Sequence, residues 1–320
     1  MFLECNDIIK LYTDEMGNQV PALRGVELAI KEGELVAIIG SSGAGKSTLI
    51  NIIGGIDKPS SGEVIVDSRV INKLSVKELT QYRRYNVGFL YQLPERNLVW
   101  NLTALDNVKL PMKLSGTWNL SQQKQRALEL LEKVGLEHRV KHKPHQLSGG
   151  EAQRVGIAVA LANDPDIVLA DEPTGELDSV TTFKIIDYFK ELNEELGKTI
   201  IVVTHDQRFA NMTNKALRIL DGRITGMHRA IDPNKSMSDR EEILYVDDHG
   251  NLRIPEKLRK KVGIKNHVKL DIIEGNLTII PVRGDDAGEL ICSKCGGVNS
   301  TDTSYCVLCG MKFNNGDINE

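Results

Sequence analysis

Short apolar runs rich in β-branched residues alternate with longer helical patterns from residue 1 to about residue 230. Three runs are bounded by turn formers or polar residues and have the length of buried parallel strands, namely residues 35–39, 166–170 and 199–203. Between residues 121 and 139, apolar residues recur at helical spacing with charged residues on the other faces; they are Leu128, Leu131 and Val134. The alternation predicts an α/β domain that includes a helical subdomain.

The text changes after residue 230. A polar stretch with Pro, Asn and Ser has a linker composition, and a compact unit punctuated by Val and Ile follows it. Within that unit the pattern predicts a strand, turn and strand over residues 246–255, a short helix stopped by Gly263, and further strands at 268–273 and 277–282. The predicted boundaries are 1–230 for the α/β domain, 231–241 for a linker, 242–284 for a small β-rich domain, 285–290 for a second linker, 291–313 for a cysteine-bearing segment and 314–320 for an acidic tail.

Composition excludes several classes of protein. The 320 residues are 41% hydrophobic and 26% charged, with 40 Lys and Arg against 44 Asp and Glu. This balance is typical of a globular protein and excludes a disordered, collagen-like or uniformly basic chain. No stretch reaches the 18 apolar residues of a membrane helix, and the start of the chain lacks the pattern of a secretory signal. We therefore expect a cytoplasmic protein.

A glycine-rich loop follows the first predicted parallel strand and precedes a helical run. It matches G-x-x-x-x-G-K-[ST], a pattern in which backbone N–H groups converge on phosphate oxygens at a helix N-terminus. Lys46 is expected to reach the β- and γ-phosphates, and Ser47 to bind Mg²⁺. An incidental glycine turn is the alternative, but the strand and helix on either side favour the phosphate loop. The candidate residues are Gly40, Ser41, Ser42, Gly43, Ala44, Gly45, Lys46, Ser47 and Thr48.

Polar side chains follow three other strands. Asp171 and Glu172 end one of them, Gln92 follows residues 87–91, and His205 follows residues 200–204. The carboxyl ends of parallel strands face the ligand crevice of such a sheet, so Asp171 can hold Mg²⁺ and Glu172 can polarise water. Alone, the acidic pair would indicate a solvated turn and His205 a surface histidine. Beside the phosphate loop, they indicate a catalytic site.

The segment LSGGEAQR opens another helix. Ser148 is a plausible N-cap and Glu151 its capping-box partner. The segment is either a well-capped helix alone or a second anion site at a helix N-terminus.

These motifs, in this order, resemble the nucleotide-binding subunits of ABC transporters over residues 1–226. The resemblance implies a P-loop NTPase fold, hydrolysis of Mg²⁺-bound ATP and a head-to-tail homodimer with two ATPs between its protomers. It implies that Ser148, Gly149 and Gly150 complete the ATP site of the second protomer and that Asp178 communicates between the sites. It also implies that His205 contacts the γ-phosphate, that Gln92 helps to surround the metal, and that Tyr12 stacks on adenine, although a core or surface role for Tyr12 is an alternative.

Three further segments are similar to the corresponding segments of the ATPases of lipoprotein release, macrolide export and cell division. They are EPTGELDS, NLTALDNVKLPM and VTHD. Glu176 and Val159 depart from the residues common in that subfamily. The resemblance implies a separate integral membrane permease as partner and a peripheral position on the inner face of the membrane. The alternative is a soluble ABC-type ATPase directed to DNA or the ribosome, and a third interpretation is a sensor whose output is DNA binding.

Residues 246–264 match V-D-x-x-G-x-x-x-I-P-x-x-L-R-x-x-x-G-I and resemble the AbrB-like swapped-hairpin domain. Members of that family dimerise and many bind DNA. A local basic patch makes DNA a possible but less favoured partner here, and we expect dimerisation, with the module tethering the ATPase dimer when it is open. The patch comprises Arg253, Lys257, Arg259, Lys260, Lys261, Lys265 and Lys269 against Glu256 alone.

Four cysteines form two C-x-x-C pairs separated by ten residues, at Cys292, Cys295, Cys306 and Cys309. This spacing suits tetrahedral Zn²⁺ and resembles a small zinc ribbon, with an iron site of rubredoxin type as the alternative. So short a segment cannot form a core unaided, so the metal is expected to fold it.

Overall fold

The computed structural model describes residues 1–175, 177–213, 215–229, 241–244, 256–264, 268–273, 276–281, 289–291 and 298–300, with residues 246, 252 and 254. The chain divides into two compact units, Met1–Leu252 and Arg253–Glu320. Among these described residues, no helix is both long and apolar enough to cross a membrane.

In chain order the strands are β1 (Leu3–Thr13), β2 (Gln19–Ile30), β3 (Leu35–Ile39), β4 (Ser61–Val66), β5 (Arg69–Val70), β6 (Val87–Leu90), β7 (Ile167–Asp171), β8 (Thr199–Thr204), β9 (Lys215–Leu220), β10 (Arg223–Arg229), β11 (Glu241–Leu244), β12 (Val268–Ile273), β13 (Asn276–Pro281), β14 (Glu289–Ile291) and β15 (Val298–Ser300). The α-helices are α1 (Lys46–Ile53), α2 (Val76–Tyr85), α3 (Pro94–Asn97), α4 (Ala104–Ser115), α5 (Leu120–Lys133), α6 (Gly149–Ala160), α7 (Ser179–Leu196), α8 (Gln207–Met212) and α9 (Glu256–Val262), and short 3₁₀ turns lie at Ile71–Lys73, Glu137–Arg139 and Pro144–Gln146.

The centre of the first unit is a sheet in the order β11-β10-β9-β3-β8-β7-β6. Strands β9, β3, β8, β7 and β6 run parallel, and β10 and β11 are antiparallel. The carboxyl ends of β3, β7 and β8 are therefore in register, with Ile39 opposite Thr204 and Asp171 opposite Val203. The three strands predicted from their apolar runs are observed, within one residue at each end.

Alternating side chains of these strands enter two hydrophobic clusters, one on each face of the sheet. Val36, Ile38 and Leu169 pack with α1 and a second, antiparallel sheet of order β2-β1-β4-β5. Ala37, Val168 and Val202 pack on the other side, in the cluster that includes residues of α4 to α7. Burial on both faces explains why these strands read as continuous apolar runs.

The helical subdomain differs in detail from the prediction. Helix α5 ends at Lys133 and is followed by a 3₁₀ turn, whereas the pattern suggested one helical segment to residue 139. Leu128 is 38% exposed. The buried stripe lies at i, i+3, i+4 and i+7, the spacing of one helix face, and comprises Ala127, Leu130, Leu131 and Val134.

The central sheet extends beyond residue 230, because β11 pairs with β10, Leu244 lying opposite Gly226. The sequence pattern instead predicts residue 241 in a linker and residues 242–244 in the next domain, whereas the structure places all four in the sheet of the first unit. Strand β10 would otherwise be an open edge, and such an edge readily accepts another strand. Val246 and Leu252 form an antiparallel bridge within the predicted strand-turn-strand segment.

In the second unit, α9 ends at Val262 and Gly263 follows it, with a φ of +78° that suits the predicted glycine stop. Strands β12 and β13 form an antiparallel hairpin, with Val268 opposite Pro281 and Ile273 opposite Asn276. Strand β14 pairs with β15, Ile291 lying opposite Val298. The four cysteines predicted to bind zinc lie outside the described residues.

Candidate functional site

The loop between β3 and α1 approaches a neighbouring backbone closely. A Cβ at Gly45 would lie 2.5 Å from the carbonyl oxygen of Ala22, and the φ of Gly45 is +98°. Only glycine satisfies both conditions without strain. Gly45 therefore lets the loop pass close to β2 at the start of α1, where a helix N-terminus favours anions.

Lys46 is the first residue of α1, and its side chain is 6% exposed. Its Nζ donates to the carbonyl oxygens of Gly40 at 2.9 Å and Ser41 at 3.0 Å. The same Nζ lies 3.1 Å from Oε1 of Glu172. One ammonium group therefore joins the loop to the end of β7.

The Ser47 hydroxyl donates to Oδ1 of Asp171 at 2.9 Å. Burial and the neighbouring charge of Glu172 raise the pKa of Asp171, against the opposing effect of the Ser47 hydrogen bond. A hydroxyl and a carboxylate are hard oxygen ligands, so this pair fits Mg²⁺.

Glu172 follows β7 with a φ of +46°, and its N–H donates to Val203 O at 2.8 Å. Its Oε2 accepts from the backbone N–H of His205 at 3.1 Å and lies 2.9 Å from Nδ1 of the same residue. The Glu172 side chain is 13% exposed, whereas that of His205 is 65% exposed. Glu172 is therefore held at both oxygens, and the imidazole remains open to a ligand.

Gln92 lies two residues beyond β6, and the backbone before it is anchored by groups that the sequence did not single out. The Asn97 amide accepts from Tyr91 N–H at 2.9 Å and donates to Tyr91 O at 2.9 Å. Gln153 of α6 donates to the same carbonyl at 3.2 Å. A Cβ at Gly175 would lie 2.9 Å from Nε2 of Gln92, so the glycine leaves room for that amide.

Many of these groups face one cavity of about 530 Å³, large enough for a small organic ligand, whereas the predicted residues Gly40, Ser41, Ala44 and Asp171 are not among those that line it. Most of its lining residues were predicted from the sequence, and Ala22 of β2 is an addition. The cavity is lined by Ala22, Ser42, Gly43, Gly45, Lys46, Ser47, Thr48, Gln92, Glu172 and His205.

Tyr12 lies beside this cavity, not among its lining residues. The ring is 43% exposed, and its hydroxyl donates to Oδ2 of Asp57 at 2.8 Å. Burial and this hydrogen bond raise the pKa of Tyr12, and the hydroxyl of Thr48 opposes that effect. Tyr12 is thus close to the start of α1.

The remaining predicted residues lie away from the cavity. Ser148 caps α6 in the predicted capping box, accepting from Glu151 N–H while Glu151 accepts from Ser148 N–H at 2.8 Å. Asp178 caps α7, accepting from the N–H groups of Val180 at 2.9 Å and Thr181 at 3.0 Å. Hydrogen bonds from the Thr181 hydroxyl and backbone lower the pKa of Asp178.

Gly149 and Gly150 begin α6, and α6 meets α7 at Gly150. A Cβ at Gly150 would lie 2.3 Å from Cγ2 of Thr181, so this contact requires glycine. Ser148, Gly149, Gly150 and Asp178 therefore form a second cluster on one protomer. Within the part of the chain that the structure describes, no group of three or more His, Cys, Asp or Glu residues is arranged to hold a metal.

Comparisons with known proteins point to one family. The family model described as ABC transporter matches residues 23–175. An uncharacterized ABC transporter ATP-binding protein of Methanocaldococcus jannaschii, MJ0796, is 49% identical over 226 residues, which are 69% of this chain and 94% of that protein. The lipoprotein-releasing system ATP-binding protein LolD of Pseudoalteromonas translucida is 45% identical over 225 residues, 70% of this chain and 95% of LolD.

Solved structures agree. The dimeric MJ0796 cassette in a post-hydrolysis state with ADP and Pi matches with a TM-score of 0.66 and 45% identity, covering 72% of this chain and 99% of that chain. The cbiO1 protein of Clostridium perfringens, part of the ABC transporter complex cbiONQ, matches with a TM-score of 0.65 and 30% identity, covering 74% of this chain and 91% of that chain. Together with the phosphate loop and the acidic strand end, these similarities establish that the chain belongs to the ABC transporter family, as an ATP-binding subunit that hydrolyses ATP.

Proposed function

We propose that two copies of this protein sandwich two ATPs head to tail and drive a separate integral membrane permease from the inner face of the membrane. One observation supports a composite ATP site, meaning a site built from residues of both protomers. The phosphate loop, Glu172 and His205 share a cavity, whereas Ser148, Gly149 and Gly150 lie outside it on the same protomer. A second copy supplies those three residues to the bound nucleotide.

In this proposal the phosphate loop and Lys46 hold the phosphates. Lys46 already lies within hydrogen-bond distance of the loop carbonyls, so its ammonium is positioned at the centre of the cradle. Ser47, Asp171 and Gln92 hold Mg²⁺, which when bound neutralises charge on the phosphate oxygens. Tyr12 stacks on the adenine, and Asp178 lies between the two sites.

Glu172 is the proposed general base. Its carboxylate is fixed by Lys46 on one oxygen and by His205 on the other. A carboxylate held in this way takes a proton from the attacking water without first reorienting. The exposed imidazole of His205 contacts the γ-phosphate and keeps Glu172 aligned.

The relatives support one type of partner. LolD is by name part of a lipoprotein-releasing system, and the segments EPTGELDS, NLTALDNVKLPM and VTHD resemble the same subfamily. We infer a partner permease of the lipoprotein-release, macrolide-export or cell-division type.

The test traps the ATP-bound dimer with Glu172→Gln and isolates it from detergent-solubilised native membranes for mass spectrometry. Lys46→Ala, which removes the ammonium from the phosphate cradle, is the matched control. A stoichiometric integral membrane protein retained with Glu172→Gln and reduced with Lys46→Ala supports the proposal. Recovery of soluble partners, ribosomes or nucleic acid alone would support the soluble ATPase alternative and its DNA-directed basic patch.

A hairpin in the second unit supports dimerisation there. One face of the β12–β13 hairpin carries only apolar side chains, in three directly opposed pairs, and an isolated two-stranded hairpin is marginally stable in water. Ile272 is 74% exposed and Leu277 is 66% exposed on this face. We define the hairpin face as Val268, Leu270, Ile272, Leu277, Ile279 and Pro281. The AbrB-like resemblance implies a dimer made by interleaving hairpins, and we propose that the hairpin face is covered in that dimer.

We also propose that the four carboxy-terminal cysteines bind one Zn²⁺. The paired strands β14 and β15 bracket Cys292 and Cys295 in the sequence, as expected for a knuckle closed by a hairpin. Elemental analysis of the purified chain tests this, with one zinc per chain expected. Iron in its place would identify the rubredoxin-type alternative, and absence of both metals would refute the site.

A further inference from the structure

The Tyr12 side chain, in β1, is held by the carboxylate of Asp57, which lies in the segment between α1 and β4. Oδ2 of Asp57 accepts from the Tyr12 hydroxyl at 2.8 Å. Oδ1 of Asp57 accepts from Lys10 Nζ at 2.7 Å and from Lys58 N–H at 2.7 Å. Three donors from separate residues therefore fix this carboxylate.

Lys10 adds a second restraint on the ring. Its Nζ lies 4.9 Å from the centroid of the Tyr12 ring, the geometry of a cation–π contact. The same Nζ donates to Lys58 O at 2.7 Å, and the Lys10 side chain is only 12% exposed. The ammonium is thus held at a fixed place against one face of the ring.

The two contacts leave Tyr12 few orientations. The hydroxyl is fixed at the tip of the ring and Lys10 covers one face, so a planar ligand stacks only on the other face. Without Asp57, the hydroxyl loses its acceptor and Lys10 loses its counter-ion together. A free, half-exposed tyrosine would have to be ordered on binding, which costs free energy.

We propose that Asp57 is a positioning residue that holds Tyr12, directly and through Lys10, as the platform for the base of the nucleotide. The inference rests on the proposed stacking of Tyr12 on adenine. Stacking on an aromatic ring is tolerant of base identity. A Tyr12 ring held in this way therefore favours binding of ligands that carry a base and does not help phosphate chains that lack a base to bind.

Steady-state ATP hydrolysis by the full chain tests this, with inorganic tripolyphosphate as a competitive inhibitor. Asp57→Ala is expected to raise the KM for ATP about fivefold to twentyfold, since stacking on an aromatic ring contributes about one to two orders of magnitude in affinity. The kcat and the inhibition constant of tripolyphosphate should stay within about twofold, because neither depends on the base. Asp57→Asn keeps an acceptor for the hydroxyl but loses the charge that holds Lys10, so its KM should be intermediate.

Asp14→Ala is the matched control, because Asp14 also accepts several hydrogen bonds near the β1–β2 turn but does not touch the ring. Tyr12→Ala should raise the KM at least as much as Asp57→Ala, and the KM of the double variant should be no higher than that of Tyr12→Ala.

If Tyr12→Ala raises the KM and neither Asp57 variant does, the positioning role is wrong while the stacking role stands. If Tyr12→Ala leaves the KM unchanged, the stacking role itself is wrong. If Asp57→Ala weakens tripolyphosphate as much as ATP, Asp57 acts on the phosphate loop and the inference is overturned.

Discussion

Asn97 fixes the backbone next to Gln92 with both ends of its amide, bonding the N–H and the carbonyl of Tyr91 at 2.9 Å each. Asn97→Ala should slow ATP hydrolysis about tenfold or more, because small displacements of positioned groups have effects of that size. The KM for ATP should change little, since Asn97 does not line the cavity. Steady-state kinetics measures both quantities.

The same substitution removes the acceptor of Tyr91 N–H and one of the two side-chain donors to Tyr91 O, so we expect a loss of about 1–2 kcal/mol in the free energy of unfolding. Asn97→Asp, the control, keeps the acceptor for Tyr91 N–H but loses the donor to Tyr91 O. Its free energy of unfolding should lie between those of the unsubstituted protein and Asn97→Ala. Unchanged kcat in a stable Asn97→Ala protein would show that Gln92 does not depend on this anchor.

At the level of elements, the capping box at the start of α6 stabilises that helix and contains Ser148, a residue of the proposed ATP site shared between protomers. Glu151 accepts from Ser148 N–H and lies 3.0 Å from Nε of Arg139. The hydrogen bond from the Ser148 backbone is the largest cause of the lowered pKa of Glu151. Hydrogen bonds with the Ser148 hydroxyl and Arg139 lower this pKa further, and burial opposes all three. The carboxylate therefore stabilises the helix above the ordinary pKa of Glu, and that contribution is lost as the pH falls through the lowered value.

Glu151→Ala should accordingly lower the free energy of unfolding by about 1 kcal/mol at pH 7. The difference from the unsubstituted protein should shrink as the pH falls below the ordinary pKa of 4.5. In the Glu172→Gln background, Glu151→Ala should also weaken ATP-dependent dimerisation, because Ser148 and the two glycines are the residues proposed to contact the partner's nucleotide. Urea unfolding across pH and sedimentation with ATP measure the two effects.

Glu78→Ala is the matched control, because Ser75 and Glu78 form the same capping box at α2. It should destabilise the fold and leave ATP-dependent dimerisation unchanged. If the two variants weaken dimerisation equally, loss of stability alone explains the effect of Glu151→Ala.

The same elements show how far the sequence predicts the site. The apolar runs predict β3, β7 and β8 because burial on both faces excludes polar residues from them, and the strand ends then place Asp171, Glu172 and His205 together. Asn97 and Gln153 were not predicted, because hydrogen bonds between a side chain and the backbone of another segment leave no repeating pattern in the sequence. Leu128 was placed on the buried stripe wrongly, since periodicity gives a helix face but its neighbours decide which direction faces the core.

At the scale of the whole molecule, the proposed hairpin contact and the proposed ATP-bound contact hold the same two protomers together by different means. The proposed contact between hairpin faces does not need ATP, whereas the head-to-tail contact between cassettes does. A linked pair of contacts raises the effective concentration of the second one. The full chain should therefore be dimeric without nucleotide, and ATP should close cassettes that are already tethered.

Leu277→Glu tests this in the full chain, because it places a charge on the hairpin face, in the pair nearest the turn, at a residue that is 66% exposed. An exposed position should tolerate the change without loss of fold, so the expected result is a monomer without ATP by sedimentation velocity. In the Glu172→Gln background, ATP should still produce a dimer, but only at a protein concentration about a hundredfold higher. Asn276→Glu adds the same charge to the opposite face of the same hairpin, opposite Ile273 and not opposite another carboxylate, and should leave both dimers intact. If Leu277→Glu stays dimeric without ATP, the tether lies elsewhere, and if it needs no additional protein for ATP-driven closure, the two contacts are independent of each other.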